Sequence, residues 1–247
     1  MNADTPSRTA VIMARGSIHG RMLLEAMVAA GLPPAIVVAE DGTARAQRVG
    51  RFLANDIDNP PDMATILGGA PTRVFVTDDF QGQAALAALD EAAPDYVVNG
   101  GAGLYKEPIL ARPRRLFLNA HPGLLPAFRG LDPIPWALLE NAPVGATLHA
   151  VTPGLDDGDM LIRREADTAG AASVLALRLR VLRLCAALVV DYLTNPRRWP
   201  PVAQDHSAAR NRGAFPEHRM PEAEAALTAR NAVLPDTKRP IAQENFR

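Results

Sequence analysis

Short β-branched runs alternate with helical stretches along most of the chain. Such alternation predicts an α/β fold with a doubly wound, mostly parallel, Rossmann-like sheet, in which crossover helices join the strands. The predicted strands are TAVIM (9–13), AIVVAE (35–40), TRVFVTDD (72–79), DYVVNGG (95–101), RLFLNAHP (115–122), GATLHAVT (145–152) and GDMLIRREA (158–166). The main predicted helices are HGRMLLEAMVAAG (19–31), the stretch around QAALAALDEAA (83–93), DPIPWALLENA (132–142) and residues 173–193.

The chain changes character after the last strong helix, which we predict to end at Asn195 and Pro196. Seven prolines interrupt the tail, and only PEAEAALTARNA (221–232) has a helical pattern. We predict one domain, residues 1–195, and a proline-rich C-terminal extension, residues 196–247. The extension is not expected to be an independent domain, because so short a segment rarely forms its own core. We expect it to pack against the domain or against a second subunit, as in a homodimer.

Composition and charge narrow the possible partners. The chain has 247 residues, 48% hydrophobic content and a formal net charge of -1. We therefore expect no nucleic-acid partner, since such partners require a basic surface. No apolar run is as long as a membrane-spanning helix, so we expect no membrane partner. Cys185 is the only cysteine, which excludes an internal disulfide and, without a signal-peptide pattern, favours a cytoplasmic location.

The stretch LNAHPGLLPAFRG (118–130) places an asparagine and a histidine at the end of a predicted strand. Asn119 and His121 are two residues apart, so their side chains point to the same face of the strand. A carboxamide and an imidazolium both donate hydrogen bonds, and together they suit a carbonyl oxygen that becomes an oxyanion. The pair alone is also typical of a turn asparagine and a packed histidine.

The segment GLDDGDML (154–161) supplies the carboxylates that this chemistry lacks, Asp156, Asp157 and Asp159. A carboxylate in this loop would raise the pKa of His121 by its charge and relay a proton through water. Three aspartates between glycines are equally typical of a solvated turn. No carboxylate cluster with ligand spacing accompanies them, so we expect no metal site.

The segment from residue 119 to residue 161 resembles the core signature of the folate-dependent formyltransferases. This family includes methionyl-tRNA formyltransferase, glycinamide ribonucleotide formyltransferase and the sugar N-formyltransferases. A weaker resemblance spans roughly residues 8–194, most of the chain. The matching positions are Asn119, His121, Pro122, LLP at 124–126, Arg129, Gly130, Gly145, Thr147, His149, Leu155, Asp156 and Gly158.

The resemblance implies an enzyme whose catalytic domain is residues 1–195. A primary amine would attack the formyl carbon of 10-formyltetrahydrofolate. By resemblance, Asn119 and His121 hold the oxyanion, and Asp156 supports the charged histidine and relays the proton. The loop NGGAGLYKEP (99–108) would hold the pterin ring. The residues that we expect to contact the co-substrate are Gly101, Gly103, Leu104, Tyr105 and Leu155.

The acceptor is a small-molecule amine, and a nucleotide-linked amino sugar is the leading hypothesis. The expected acceptor-binding residues are Arg15, Gly16, Ser17 and His149. Arg15 and Ile18 depart from the glycine-rich pattern of the glycinamide ribonucleotide enzymes, and the transfer-RNA branch carries an additional C-terminal barrel and a basic surface. The alternatives are glycinamide ribonucleotide or another small-metabolite amine as acceptor, hydrolysis of 10-formyltetrahydrofolate, and a folate-binding module without turnover.

Overall fold

The computed structural model describes residues 7–42, 61–233 and 243–244, and it divides the chain into two compact units, Met1–Asn119 and Ala120–Arg247. Two of the seven prolines of the extension, at positions 235 and 240, lie outside the described residues. No helix in the described part of the chain is long and apolar enough to cross a membrane.

The first unit is built on parallel strands in the order β5-β4-β1-β2-β3. Strands β1 and β2 are buried throughout, which explains their continuous apolar sequence. The strand order reverses direction between β1 and β4, and in open α/β sheets such a switch point is where ligands bind. The strands are β1 Thr9–Ala14, β2 Ile36–Glu40, β3 Arg73–Thr77, β4 Tyr96–Asn99 and β5 Leu116–His121, which runs on into the second unit. The helices are α1 Ile18–Ala29, α2 Met63–Leu67, α3 Gln83–Ala92 and α4 Glu107–Leu110.

Helix α1 begins directly at this switch point. Ser17 caps the helix, since its hydroxyl oxygen accepts a hydrogen bond from the Gly20 N–H at 3.0 Å. The same hydroxyl donates to the Gly100 carbonyl at 2.8 Å. A Cβ atom at Gly20 would lie 2.7 Å from that carbonyl oxygen, so the glycine allows the helix to approach the end of β4 closely. The first turn of α1 is therefore fixed to the loop that follows β4.

In the second unit, β8 pairs antiparallel with both β7 and the short strand β10. The described residues of the extension belong to this unit and form backbone hydrogen bonds with its other residues. Val202 exchanges two backbone hydrogen bonds with Met160, and β9 pairs with β6. The strands are β6 Arg129–Gly130, β7 Gly145–Ala150, β8 Met160–Glu165, β9 Asn211–Arg212 and β10 Gln243–Glu244. The helices are α5 Pro133–Leu139, α6 Val174–Thr194 and α7 Met220–Val233, with short 3-10 turns at Pro196–Arg198, His206–Ala208 and Glu217–Arg219. These elements and the parallel strands of the first unit confirm the predicted α/β fold.

Candidate active site

The loop after β1 carries three of the predicted acceptor-binding residues. Arg15 forms an exposed ion pair with Asp41, with 2.7 Å between Nη1 and Oδ2. Ser17 is buried as the helix cap, and Gly16 lies between these two residues. In this structure the Arg15 side chain pairs with the residue that follows β2, and its contact with an acceptor stays a prediction.

The loop after β4 is organised by Asn99, a residue that the sequence analysis did not single out. The Asn99 Oδ1 atom accepts hydrogen bonds from the Gly101 N–H at 2.8 Å, the Ala102 N–H at 3.1 Å and the Tyr105 hydroxyl at 2.7 Å. Its Nδ2 atom donates to the Asn119 Oδ1 atom at 3.0 Å. Asn99 therefore connects the loop predicted to hold the pterin with the asparagine predicted to hold the oxyanion.

The predicted co-substrate residues in this loop have two different environments. Gly101 and Gly103 have φ angles of +90° and +120°, a conformation that favours glycine. Leu104 is 73% exposed and offers apolar surface. Tyr105 is only 8% exposed, and its ring packs against Phe80 and Phe117. Leu104 is therefore an exposed apolar side chain of this loop, whereas Tyr105 packs against the core. Contact of the loop with a co-substrate stays a prediction.

In the second unit, the Asp156 carboxylate lies between two buried histidines. Oδ2 is 3.5 Å from Nδ1 of His121, and Oδ1 is 3.6 Å from Nε2 of His149. The Gly130 N–H donates to Oδ2 at 2.8 Å. Asp156 itself has a φ angle of +48°, an uncommon conformation for a residue with a side chain. The structure thus brings together His121, His149 and Asp156 of the predicted site.

Backbone carbonyl groups fix which nitrogen of each histidine faces Asp156. Nε2 of His121 is 2.7 Å from the Phe128 carbonyl oxygen, and Nδ1 of His149 is 2.8 Å from the Ala150 carbonyl oxygen. A carbonyl oxygen only accepts, so each of these nitrogens carries a proton and donates. The other nitrogen of each ring faces the carboxylate. A proton that reaches this cluster can therefore be shared between Asp156 and either ring.

The pKa values of the cluster follow from burial and from these contacts. Burial alone would raise the pKa of Asp156, but the hydrogen bond and charge of His149, the charge of His121 and the Gly130 N–H together lower it to about 2. Burial lowers the pKa of His121, and the opposing charge of Asp156 does not compensate. The charge of Asp156 raises the pKa of His121, as expected, but burial is the larger effect, so the pKa of His121 is lowered overall. The cluster holds an ionised carboxylate at neutral pH.

The neighbours of Asp156 in its loop differ in their exposure and contacts. Leu155 is 39% exposed and presents an apolar side chain next to Asp156. The Asp157 carboxylate accepts a hydrogen bond from the Thr152 hydroxyl within the same loop. A Cβ atom at Gly158 would lie 2.0 Å from the Ala150 carbonyl oxygen, so this position requires glycine. Within the described residues, no group of three or more histidine, cysteine, aspartate or glutamate side chains could hold a metal ion.

Gln204, in the extension, holds the backbone of the Asp156 loop and was also missed by the sequence analysis. Its Nε2 atom donates to the carbonyl oxygens of Asp156 and Gly158 at 2.9 and 2.7 Å. Its Oε1 atom accepts from Nε and Nη2 of Arg129 at 3.1 and 2.7 Å. Gln204 and Arg129 are 5% and 6% exposed. The Gln204 amide thus forms hydrogen bonds with the buried Arg129 guanidinium and with two carbonyl groups of the Asp156 loop.

Replacing Gln204 with Ala is expected to lower the free energy of unfolding by about 2 kcal/mol or more, because buried polar groups lose their partners. Urea unfolding measures this loss. Gln204→Glu is the matched variant, since a carboxylate still accepts from Arg129 but cannot donate to the two carbonyl groups. An unchanged stability of the Ala variant would show that these hydrogen bonds contribute nothing to the fold.

Comparison with known proteins identifies the family. The profile of the formyl transferase family matches residues 50–192, more than half of the chain. Methionyl-tRNA formyltransferase of Rhizorhabdus wittichii is 39% identical over 139 residues, which are 55% of this chain and 44% of that protein. The same enzyme of Methylococcus capsulatus is 31% identical over 172 residues, which are 69% of this chain and 54% of that protein. The chain thus spans about half the length of these relatives.

Solved structures share the fold at lower identity. Glycinamide ribonucleotide transformylase 1 of Symbiobacterium toebii has a TM-score of 0.61 at 20% identity, covering 82% of this chain and 96% of that chain. A 4-N formyltransferase of Francisella tularensis has a TM-score of 0.61 at 15% identity, covering 95% of this chain and 91% of that chain. The resemblance seen in the sequence is confirmed, and the chain belongs to the formyl transferase family of enzymes.

Proposed function

We propose that the chain is an N-formyltransferase that moves a formyl group from 10-formyltetrahydrofolate to a primary amine of a small molecule. The observation that carries this proposal is the Asp156 carboxylate, which is ionised and lies between His121 and His149 in a chain of this family. An ionised carboxylate beside imidazoles suits a reaction in which an attacking nitrogen must lose a proton.

In the proposed mechanism, the lone pair of a neutral amine attacks the formyl carbon of the donor. The carbonyl oxygen becomes an oxyanion, to which the Asn119 amide donates a hydrogen bond. Asp156 accepts a proton of the amine through water, and the tetrahedral intermediate collapses as the folate nitrogen leaves and takes up a proton. His121, which the resemblance also assigns to the oxyanion, would act through Nδ1, because its Nε2 proton is directed at the Phe128 carbonyl. Nδ1 can hold the proton received from Asp156, and this proton then passes through water to the departing folate nitrogen.

We propose a nucleotide-linked amino sugar as the acceptor. The formal net charge of -1 supports a small molecule over a polyanion, which would need a basic surface. The departure of Arg15 and Ile18 from the glycine-rich pattern in the loop after β1 argues against glycinamide ribonucleotide. We also propose that the reaction takes place in the cytoplasm, a compartment compatible with a reduced Cys185 and with a folate donor.

Methionyl-tRNA is the second candidate acceptor. It is favoured by a specific observation, since the relatives at 31% and 39% identity are both methionyl-tRNA formyltransferases. The two candidates differ in their dependence on salt, because binding of transfer RNA weakens steeply as salt concentration rises.

Binding and turnover test the proposal in two steps. Calorimetric titration with 5-formyltetrahydrofolate, a stable isomer of the donor, measures occupation of the donor site. Assays with 10-formyltetrahydrofolate then compare a nucleotide-linked 4-amino sugar, glycinamide ribonucleotide, methionyl-tRNA and no amine. Formylated sugar supports the proposal, and formylated methionyl-tRNA supports the second candidate. Formate without an amine indicates a hydrolase, and binding without any turnover indicates a folate-binding module.

The pH dependence of the reaction is expected to follow the pKa of the acceptor amine rather than that of Asp156. Because this pKa is about 2, the carboxylate is already ionised throughout the neutral range. We expect kcat/KM to fall as pH decreases from about 8 to about 6, because the acceptor amine becomes protonated and cannot attack. The pH at half-maximal rate should move with the pKa of the amine when acceptors are compared. A midpoint that stays constant across amines would show that a group of the enzyme controls the rate.

A further inference from the structure

The orientation of the Asn99 amide is determined by its neighbours in the first unit. Oδ1 accepts from the N–H groups of Gly101 and Ala102 and from the Tyr105 hydroxyl. Backbone N–H groups only donate, so the atom that faces them must be the oxygen. The NH2 group of Asn99 therefore faces the opposite direction.

This orientation determines that of Asn119. The Asn99 NH2 group lies 3.0 Å from the Asn119 side chain, and because an NH2 group only donates, Asn119 must present its oxygen there. The NH2 group of Asn119 is consequently turned away from Asn99. The two amides thus form a directed chain of hydrogen bonds that begins at the loop backbone.

We propose that Asn99 is a positioning residue that fixes the donor face of Asn119. This inference rests on the proposed function, in which Asn119 donates to the oxyanion. A carboxamide that turns by about 180° keeps its shape but presents oxygen in place of NH2. An oxygen in that place would repel the developing negative charge. Because Asn99 also holds Gly101 and Tyr105, the loop that we expect to bind the folate and the orientation of the oxyanion donor depend on one residue.

The variant Asn99→Asp separates the two roles of this residue. One carboxylate oxygen still accepts from Gly101, Ala102 and Tyr105, so the loop keeps its hydrogen bonds. The second carboxylate oxygen faces Asn119 and accepts hydrogen bonds. Asn119 can donate to this oxygen only if its amide turns so that the NH2 group faces position 99. We expect kcat to fall about 100-fold, the loss typical of one oxyanion donor. We expect the KM for 10-formyltetrahydrofolate to change less than about threefold, because the loop is retained.

Two further readouts distinguish positioning from a purely structural role. When the new carboxyl group is protonated it donates to Asn119 again, so the ratio of variant to wild-type kcat should rise as pH falls toward about 4. In a double-mutant cycle, Asn99→Asp should cause little further loss in an Asn119→Ala background, because a positioning residue acts through its target. Additive losses in this cycle would overturn the proposal.

Neutron diffraction of deuterium-exchanged wild-type crystals tests the orientation without any substrate. We expect both side-chain deuterium atoms of Asn119 on the atom that faces away from Asn99. Deuterium atoms on the atom facing Asn99 would overturn the inference whatever the activity. The expected orientation together with normal turnover of Asn99→Asp would also overturn it, while the proposed function stands. A wild-type protein that formylates no amine would instead overturn the proposed function and the catalytic consequence drawn from it.

Discussion

Replacing Asp156 with Asn is expected to lower turnover by about 100-fold or more, because an amide carries no charge and accepts no proton from the amine. The substitution preserves the shape of the cluster. The amide oxygen can still accept from the Gly130 N–H, and its NH2 group can donate to Nε2 of His149, whose other nitrogen is directed at a backbone carbonyl. The variant should therefore fold, and steady-state kinetics with saturating donor measures the chemical effect.

Asp157→Asn is the matched control for this experiment. The Asp157 carboxylate lies next to Asp156 in the sequence, but it accepts a hydrogen bond from Thr152 within its own loop. We expect its turnover to stay within about twofold of the wild-type value, because an amide oxygen still accepts from Thr152 and Asp156 is unchanged. Normal turnover of Asp156→Asn would show that another group accepts the proton, and the mechanism proposed above would then be wrong.

Deletion of residues 196–247 is expected to abolish folding of the second unit. Among its described residues, the extension contributes four buried apolar side chains, three of them large, and the Phe215 ring lies 4.8 Å from that of Trp136. Burial of each large side chain stabilises a protein by roughly 1.5–3 kcal/mol, so the loss is comparable with the total stability of about 5–15 kcal/mol. Size-exclusion chromatography and circular dichroism of the truncated protein measure the result. The four side chains are Trp199, Phe215, Ala223 and Leu227.

Truncation after Val233 is the control for this deletion. It keeps Gln204 and α7, and of the described elements it removes only the short strand β10. We expect this protein to remain monodisperse and active. A truncated protein ending at Asn195 that is equally monodisperse and active would show that the extension contributes nothing to the fold or to the Asp156 loop.

The elements of the fold could be predicted because each is encoded in a local pattern. The buried strands are continuous apolar runs, and the strong helices repeat with the helical period. Two short helices, Met63–Leu67 and Glu107–Leu110, were not predicted, because each is too short to show a period. Sequence patterns therefore indicate the framework better than its short connections.

Residues that hold others in place were much harder to predict. Asn99 satisfies the criterion that selected Asn119, a polar residue at the end of an apolar strand, but its partner lies 20 residues away. Gln204 lies in a proline-rich tail without any periodic pattern, 48 residues from Asp156. The lowered pKa of His121 depends on burial, which no local sequence pattern reports. Contacts between distant segments determine these features, so only the folded chain shows them.

The contacts of Gln204 have a consequence for exchanging parts between family members. The family match ends at residue 192, and yet the loop that carries Asp156 is held by a residue beyond that limit. The matched segment therefore lacks a side chain that holds this loop. A chimera that joins residues 1–195 to the tail of a relative must also inherit a side chain that accepts from Arg129 and donates to the Asp156 and Gly158 carbonyls. Chimeras whose tail supplies such a side chain should retain the geometry of the Asp156 loop. Chimeras that are joined at the end of the family match without regard to this side chain should lose that geometry.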